Sequence, residues 1–253
     1  MLAPLALALL LVPQLVDKTA QAPASPMPAE LTAERRADIL MARKMYREAA
    51  DSYQEALKDP KQKDRAHVLY NKLGIAYHQQ QQFDLARRYY QRAIRANKNY
   101  SEALNNLGTV YYAGKSYRRA LSQYKKALKL SPESSSIYSN LGTAYFARRQ
   151  YKQASEAYAT ALKLDPEIFE HRSSFGSILQ ERSVEDRARF HYYLAKTYAA
   201  AGYSDRALQY LRRALEEGYK ERDKIKEEAS FASLQDNPEF LQLLGANVAV
   251  INQ

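Results

Sequence analysis

Between residues 67 and 168 the small and apolar positions recur three times at a fixed interval of 34 residues. Gly74, Gly108 and Gly142 fall in register, as do Tyr77, Tyr111 and Tyr145, Ala86, Ala120 and Ala154, Tyr90, Tyr124 and Tyr158, and Ala93, Ala127 and Ala161. Within one period, Leu104, Leu107 and Tyr111 share one face of a helix, and Ala120, Leu121, Tyr124, Ala127 and Leu128 share one face of a second. Ala113-Gly114-Lys115-Ser116 supplies the turn between them, so each period predicts a helical hairpin. Gly108 and Ala120 let the paired helices approach closely at their crossing, while aromatics fill the wider gaps. Pro132 and Pro166 lack a backbone donor and end the second helix. Lys98 holds the equivalent position one period earlier, where a softer boundary is expected. A period of this length means stacked units, each resting on its neighbours, instead of one globular core.

The pattern extends in altered form on both sides. Residues 30–66 keep Ala37, Leu40, Tyr46, Ala49, Tyr53 and Ala56 but place Arg36-Ala37 where Leu-Gly belongs, which suits an N-terminal capping unit with one neighbour fewer. The connection Asp59–Asp64 is about three residues longer than the others. Units 67–100, 101–134 and 135–168 follow, and then the period breaks. Phe175-Gly176 stands where another Leu-Gly pair is due, yet no second helix follows in register, so 169–187 reads as an insertion or degenerate unit. Ser183-Val184-Glu185-Asp186 has the form of a capping box and starts a fresh unit over 188–221, with Leu194-Ala195, Tyr198, Gly202, Ala207, Leu211 and Ala214. In 222–253, Ile225, Phe231, Leu234, Phe240, Leu241, Leu243 and Leu244 predict capping helices, with Asn237-Pro238 as a start and Gly245 as a stop.

The copy from Ser101 to Ser134, with Leu107-Gly108, Tyr111, Ala120, Tyr124, Ala127 and Pro132, resembles the tetratricopeptide repeat. The resemblance implies an all-α, right-handed α-solenoid of stacked helical hairpins with a C-terminal helical cap. First helices would line its concave side and second helices its convex side. It also implies a scaffold that binds a protein or peptide partner.

Residues 1–24 read as a secretory signal: Leu2–Val16 is apolar but too short to span a bilayer, and Ala22-Pro23-Ala24 offers small residues around a cleavage point. No Lys or Arg precedes the apolar run. Residues 25–29 are a Pro- and Ala-rich linker. The expectation is export from a bacterial cell, periplasmic or secreted; without cleavage the chain is cytoplasmic or membrane-tethered.

Cysteine is absent, which excludes disulfides, thiolate metal sites and cysteine nucleophiles. His67, His78, His171 and His191 have no partners at metal-ligand spacing, and no phosphate loop or nucleophile elbow occurs. The chain therefore reads as no enzyme, with no cofactor, no metal and no small-molecule substrate.

Two surfaces carry the candidate binding chemistry. The first is a groove along the first helices: Asn71, Lys72, Ile75 and His78; Asn105, Asn106, Thr109 and Tyr112; Ser139, Asn140, Thr143 and Phe146; then Tyr192, Tyr193 and Lys196. A carboxamide both donates and accepts, so a ladder of Asn106 and Asn140 would hold the backbone of an extended guest. On that reading, replacing both with alanine costs binding and leaves melting intact. The second is charge. The chain carries 38 Lys and Arg against 28 Asp and Glu, a net +10, and residues 85–132 alone hold eleven cations and one acid, Glu102. Arg88, Arg92, Arg95, Lys125, Lys126 and Lys129 on second helices form a basic convex band, with Arg92 one repeat from Lys126 and Arg95 one repeat from Lys129. Such a band suits lipid headgroups, an anionic envelope polymer, an acidic protein or nucleic acid. The plain alternative for each surface is solvated helix.

Overall fold

The computed structural model describes residues 31–170 and 183–245; from Thr32 onward these belong to one compact unit. The signal and linker, Phe175-Gly176 and His171, and residues 246–253 lie outside the described residues. Helices alternate with short turns: α1 (Ala33–Ala42), α2 (Tyr46–Ala56), a 3-10 turn at Pro60–Arg65, α3 (Ala66–Gln79), α4 (Phe83–Ala96), α5 (Ser101–Ala113), α6 (Tyr117–Leu130), α7 (Ser135–Ala147) and α8 (Tyr151–Leu164). After the break come α9 (Val184–Ala200), α10 (Ser204–Glu216), α11 (Arg222–Glu227), a 3-10 turn at Ala229–Leu234 and α12 (Pro238–Leu243). The first ten helices pair as hairpins, and each second helix also packs on the first helix of the next hairpin, giving the α-solenoid.

One contact sets the spacing inside the three regular hairpins. A Cβ built on Gly74, Gly108 or Gly142 falls 2.5–2.6 Å from the ring of Tyr90, Tyr124 or Tyr158. Each ring, at most 2% exposed, therefore lies directly on the backbone of the first helix. Any side chain there would force the hairpin apart.

The turns lie where the sequence placed them, and one position in each carries a left-handed backbone. The left-handed residue is Lys44, Gln81, Lys115 and Arg149 in successive hairpins, at φ 56–60°, and Gly202 in the last. Gly114 itself is right-handed at φ −76°. The turn needs its positive φ one residue later than the glycine provides, so Lys115 carries the strain instead.

The boundary expected to be soft is also sharp. Asn97 leaves α4 with extended backbone, φ −142°, as Asp165 leaves α8 at φ −148°. Asn97 Oδ1 accepts from the Asn99 amide at 3.0 Å, and Asp165 Oδ1 from the Glu167 amide at 2.9 Å. A side-chain-closed turn thus stops α4 without proline. At α9, Ser183 Oγ accepts from the Asp186 amide at 3.1 Å, while the Asp186 carboxylate turns toward Arg189 instead of completing the box. The far end is closed by Ile225, Phe231, Leu234 and Phe240, all buried, with Asn237 Oδ1 capping α12 by accepting from the Glu239 and Phe240 amides.

Candidate functional site

On the first-helix side, the polar residues are spent between units. Asn106 Nδ2 donates to Asn71 Oδ1 at 3.0 Å, and Asn140 Nδ2 donates to Asn105 Oδ1 at 3.0 Å. The same rung occurs one unit earlier, where Lys72 Nζ donates to Glu34 at 2.9 Å and to both oxygens of Asp38 at 2.8 Å. Asn71 donates onward to the Tyr100 hydroxyl at 3.4 Å. Proximity to these carboxylates outweighs burial and raises the Lys72 pKa above its ordinary value, although burial, the largest single influence, pulls the other way.

A second repeated bond runs across three of the hairpins. Tyr53, Tyr124 and Tyr158 donate their hydroxyls to Asp38, Thr109 and Thr143 at 2.6, 3.3 and 3.3 Å. Thr109 and Thr143 in turn donate to the carbonyls of Asn105 and Ser139. Burial pushes the Tyr53 and Tyr124 hydroxyls far above their usual range. A third repeat closes the turns: His78 meets Phe83, Tyr112 meets Tyr117 and Phe146 meets Tyr151, with ring centroids 5.3–5.5 Å apart.

These bonds tie the groove candidates to one another and to the stack. Asn71, Tyr112, Ser139, Thr143, Phe146 and Tyr192 are buried, and the other nine groove candidates are half-buried. Ile75 packs against the Ala86, Tyr90 and Leu107 cluster. Tyr192 stacks on Tyr219 at 4.2 Å, Tyr193 stacks on Tyr151 at 4.8 Å, and Lys196 pairs with Glu228 beneath both Tyr192 and Tyr193 rings. Helical periodicity gave the direction of each side chain correctly. It did not register that neighbouring first helices come close enough to use those side chains themselves.

The second-helix side is the opposite. Arg88, Arg92, Arg95, Lys125, Lys126 and Lys129 are all exposed, and among the described residues none pairs with a carboxylate. The Arg92 guanidinium lies over the Tyr89 and Tyr70 rings at 5.1 and 6.0 Å, and the Lys125 ammonium over Tyr145 at 5.5 Å, so aromatic faces hold these charges in place at the surface without neutralising them.

Here α4 and α6 part around an open cleft of about 580 Å³. Its floor is Ile94, Leu104, Leu107 and Leu130; its rims are Arg95 and Lys98 on one side and Lys126 and Lys129 on the other, with Gln91 and Gln123 completing the lining. No acidic residue lines it. First helices α3, α5 and α7 touch one another in sequence. Leu104 accounts for the space. The equivalent positions one repeat away are Tyr70, stacked on Tyr89, and Tyr138, half-buried against two core clusters. The signal for the cleft was in the sequence, as a small aliphatic residue interrupting a periodic tyrosine.

A smaller cavity of about 290 Å³ lies among Arg149, Tyr151, Arg189, Tyr193, Tyr219 and Glu221. Most of its polar atoms are committed: Arg189 donates to the Tyr151 hydroxyl and pairs with Glu185, and Glu221 pairs with Lys224. Among the described residues no group of three His, Asp or Glu side chains is placed to hold a metal ion, and no helix is long and apolar enough to cross a membrane.

A stack of hairpins with one open, unsatisfied face defines a helical repeat scaffold. Comparison with known families makes the class specific: residues 64–133 and residues 135–168 each match a tetratricopeptide repeat model. This repeat is a protein-interaction module, and the matches indicate no enzyme family. No curated protein matches the chain. Among solved structures, MamA from Desulfovibrio magneticus, residue 41 to its end, is 18% identical with a TM-score of 0.51, over 75% of this chain and 94% of that one. Another MamA structure is 19% identical with a TM-score of 0.50, over 74% of this chain and 96% of that one. YrrB, described as a TPR protein with an unusual peptide-binding site, is 20% identical with a TM-score of 0.48, over 75% and 86%. The MamA likeness is one of fold.

Proposed function

We propose that the chain is a non-catalytic adaptor that holds an acidic partner protein on its second-helix face, within an envelope assembly outside the bacterial cytoplasm. The observation that carries this reading is the row of exposed cations along α4 and α6, left without a carboxylate while the cations of the first-helix side, Lys72 and Lys196, are already neutralised. Like charges one repeat apart repel, so the array cannot satisfy them internally and an external anion is the available complement. Support for location comes from the apolar run Leu2–Val16 and the small residues that follow it.

The test is a pull-down from an envelope fraction with three baits: the unmodified chain, the triple variant Arg92→Glu, Lys126→Glu, Lys129→Glu, and the pair Asn106→Ala, Asn140→Ala. Proteins held by the unmodified chain should be lost in the triple variant and at high salt, and retained by the asparagine pair. Loss in the asparagine pair alone, with melting unchanged, would return the site to the first-helix side. Capture of nucleic acid or lipid in place of protein would overturn the partner class. A mature N-terminus at Met1 in cytosolic protein would end the export reading.

A further inference from the structure

The geometry of the cleft between α4 and α6 points to its occupant: we infer that it receives an amphipathic acidic helix of the partner, an aliphatic seam on its floor and carboxylates along both rims. This rests on the outer-face reading above and narrows it.

The floor argues for an apolar insert. Ile94, Leu104, Leu107 and Leu130 line it, and Leu130 is 39% exposed at the surface of a helix whose neighbouring residues are charged. Among the described residues no aromatic ring lines the cleft for a nucleic-acid base to stack on. The rims argue for a helix over an extended strand. Lys126 and Lys129 are three residues apart on α6, which places them about 4.5 Å apart along its axis, while Arg95 stands at the end of α4 and Lys98 just beyond it. Carboxylates three or four residues apart on a guest helix repeat at about 4.5–6 Å, whereas same-face residues of a strand repeat at about 6.8 Å. The lining spans Gln91–Arg95 on α4, with Lys98 just past its end, and Gln123–Leu130 on α6, more than one helical turn on the first wall and roughly two on the second. The cleft is open along its length, so a lipid acyl chain would keep one side in water; a guest helix, itself polar on its outer face, covers the floor and presents that face to solvent.

A single residue makes the seat, which makes the test selective. Leu104→Tyr fills the cleft with the side chain that both neighbouring units already carry, Tyr70 and Tyr138, and leaves every cation in place. The probe is a designed helical peptide of about 18 residues, with Leu at i, i+3, i+7 and Glu on both flanks, and a scrambled twin of identical composition. The designed peptide should bind and gain helical ellipticity, the twin should bind at least about tenfold more weakly, and Leu104→Tyr should cost the designed peptide about tenfold with unchanged melting. No binding of the designed peptide, equal binding of the twin, or indifference to Leu104→Tyr would each overturn the inference. So would phosphatidylglycerol vesicles that bind in a Leu104-dependent way. The outer-face reading fails separately, through the triple charge reversal, because Leu104→Tyr removes the seat without touching the charge.

Discussion

The two sides of the stack solve the same problem, a side chain meeting its counterpart in the next unit, with opposite results. On the first-helix side the counterpart is asparagine, 35 residues away and so one position off the repeat. A carboxamide is both donor and acceptor, so Asn106 on Asn71 and Asn140 on Asn105 satisfy each other and the side closes. On the second-helix side the copies are cations. Arginine over lysine has only donors and one sign of charge, so that side stays open and unsatisfied. A repeat protein can use a self-complementary residue as mortar; a residue that repels its own image is left for something else.

The largest way to break this contrast is to disturb the spacing on which both sides depend. Gly108→Ala puts a Cβ 2.5 Å from the Tyr124 ring, and should cost about 1–3 kcal/mol in a urea titration. Gly114→Ala, whose Cβ would meet nothing nearer than 3.6 Å, is the matched control and should be stable. Next comes the ladder. Asn140→Ala removes the donor to a half-buried acceptor, Asn105 Oδ1, and should lower stability by about 1 kcal/mol without weakening partner binding. The sequence pattern alone leads to the reverse outcome, binding lost and melting kept, so this variant separates mortar from groove.

Smaller still is the turn joining the two sides. Lys115 sits at φ 56°, and Lys115→Gly should stabilise by about 0.5–1 kcal/mol, read as a raised urea midpoint. The mildest effect is conditional on acid. His78 takes the place that Tyr112 and Phe146 hold in later units, and burial pulls its pKa below the ordinary histidine value. The folded chain then binds fewer protons than the unfolded chain, so His78 contributes a loss of stability as pH falls from about 6.5 through its folded pKa. Between pH of about 7.5 and about 5, Tm should drop less in His78→Phe than in the unmodified chain. An equal drop would show that the ring is not held neutral by its surroundings.

Much of the fold was legible because the period constrains it so tightly. Small residues at the crossings and a proline after the second helix read directly from register, whereas the seating of each tyrosine ring on the glycine itself did not, since the pattern puts the aromatics in the wider gaps. What periodicity could not supply was distance. A helical wheel puts Asn106 and Tyr112 toward the inner side correctly, but whether that side is wet depends on how near the next first helix stands. That nearness is set by packing across units, which no single repeat contains. The turn was placed correctly at residues 113–116, but which of its residues takes the left-handed backbone, Lys115, is not visible in the period. The cleft was legible in principle. Leu104 between Tyr70 and Tyr138 is a departure from the period, and departures, more than the period, mark where a repeat protein differs from its own average.

The asparagine ladder carries a consequence for the length of the array. Each rung asks only that the residue below be a carboxamide one unit away, and Asn71 offers the same acceptor to Asn106 that Asn105 offers to Asn140. Excising Ser101–Ser134 as a block would set Asn140 over Asn71 and Tyr138 against α4, rejoining the seam with its bonds intact and its cleft gone. The inner seam is thus indifferent to how many units it joins, while the outer seat exists in one copy and would leave with the unit that brought it.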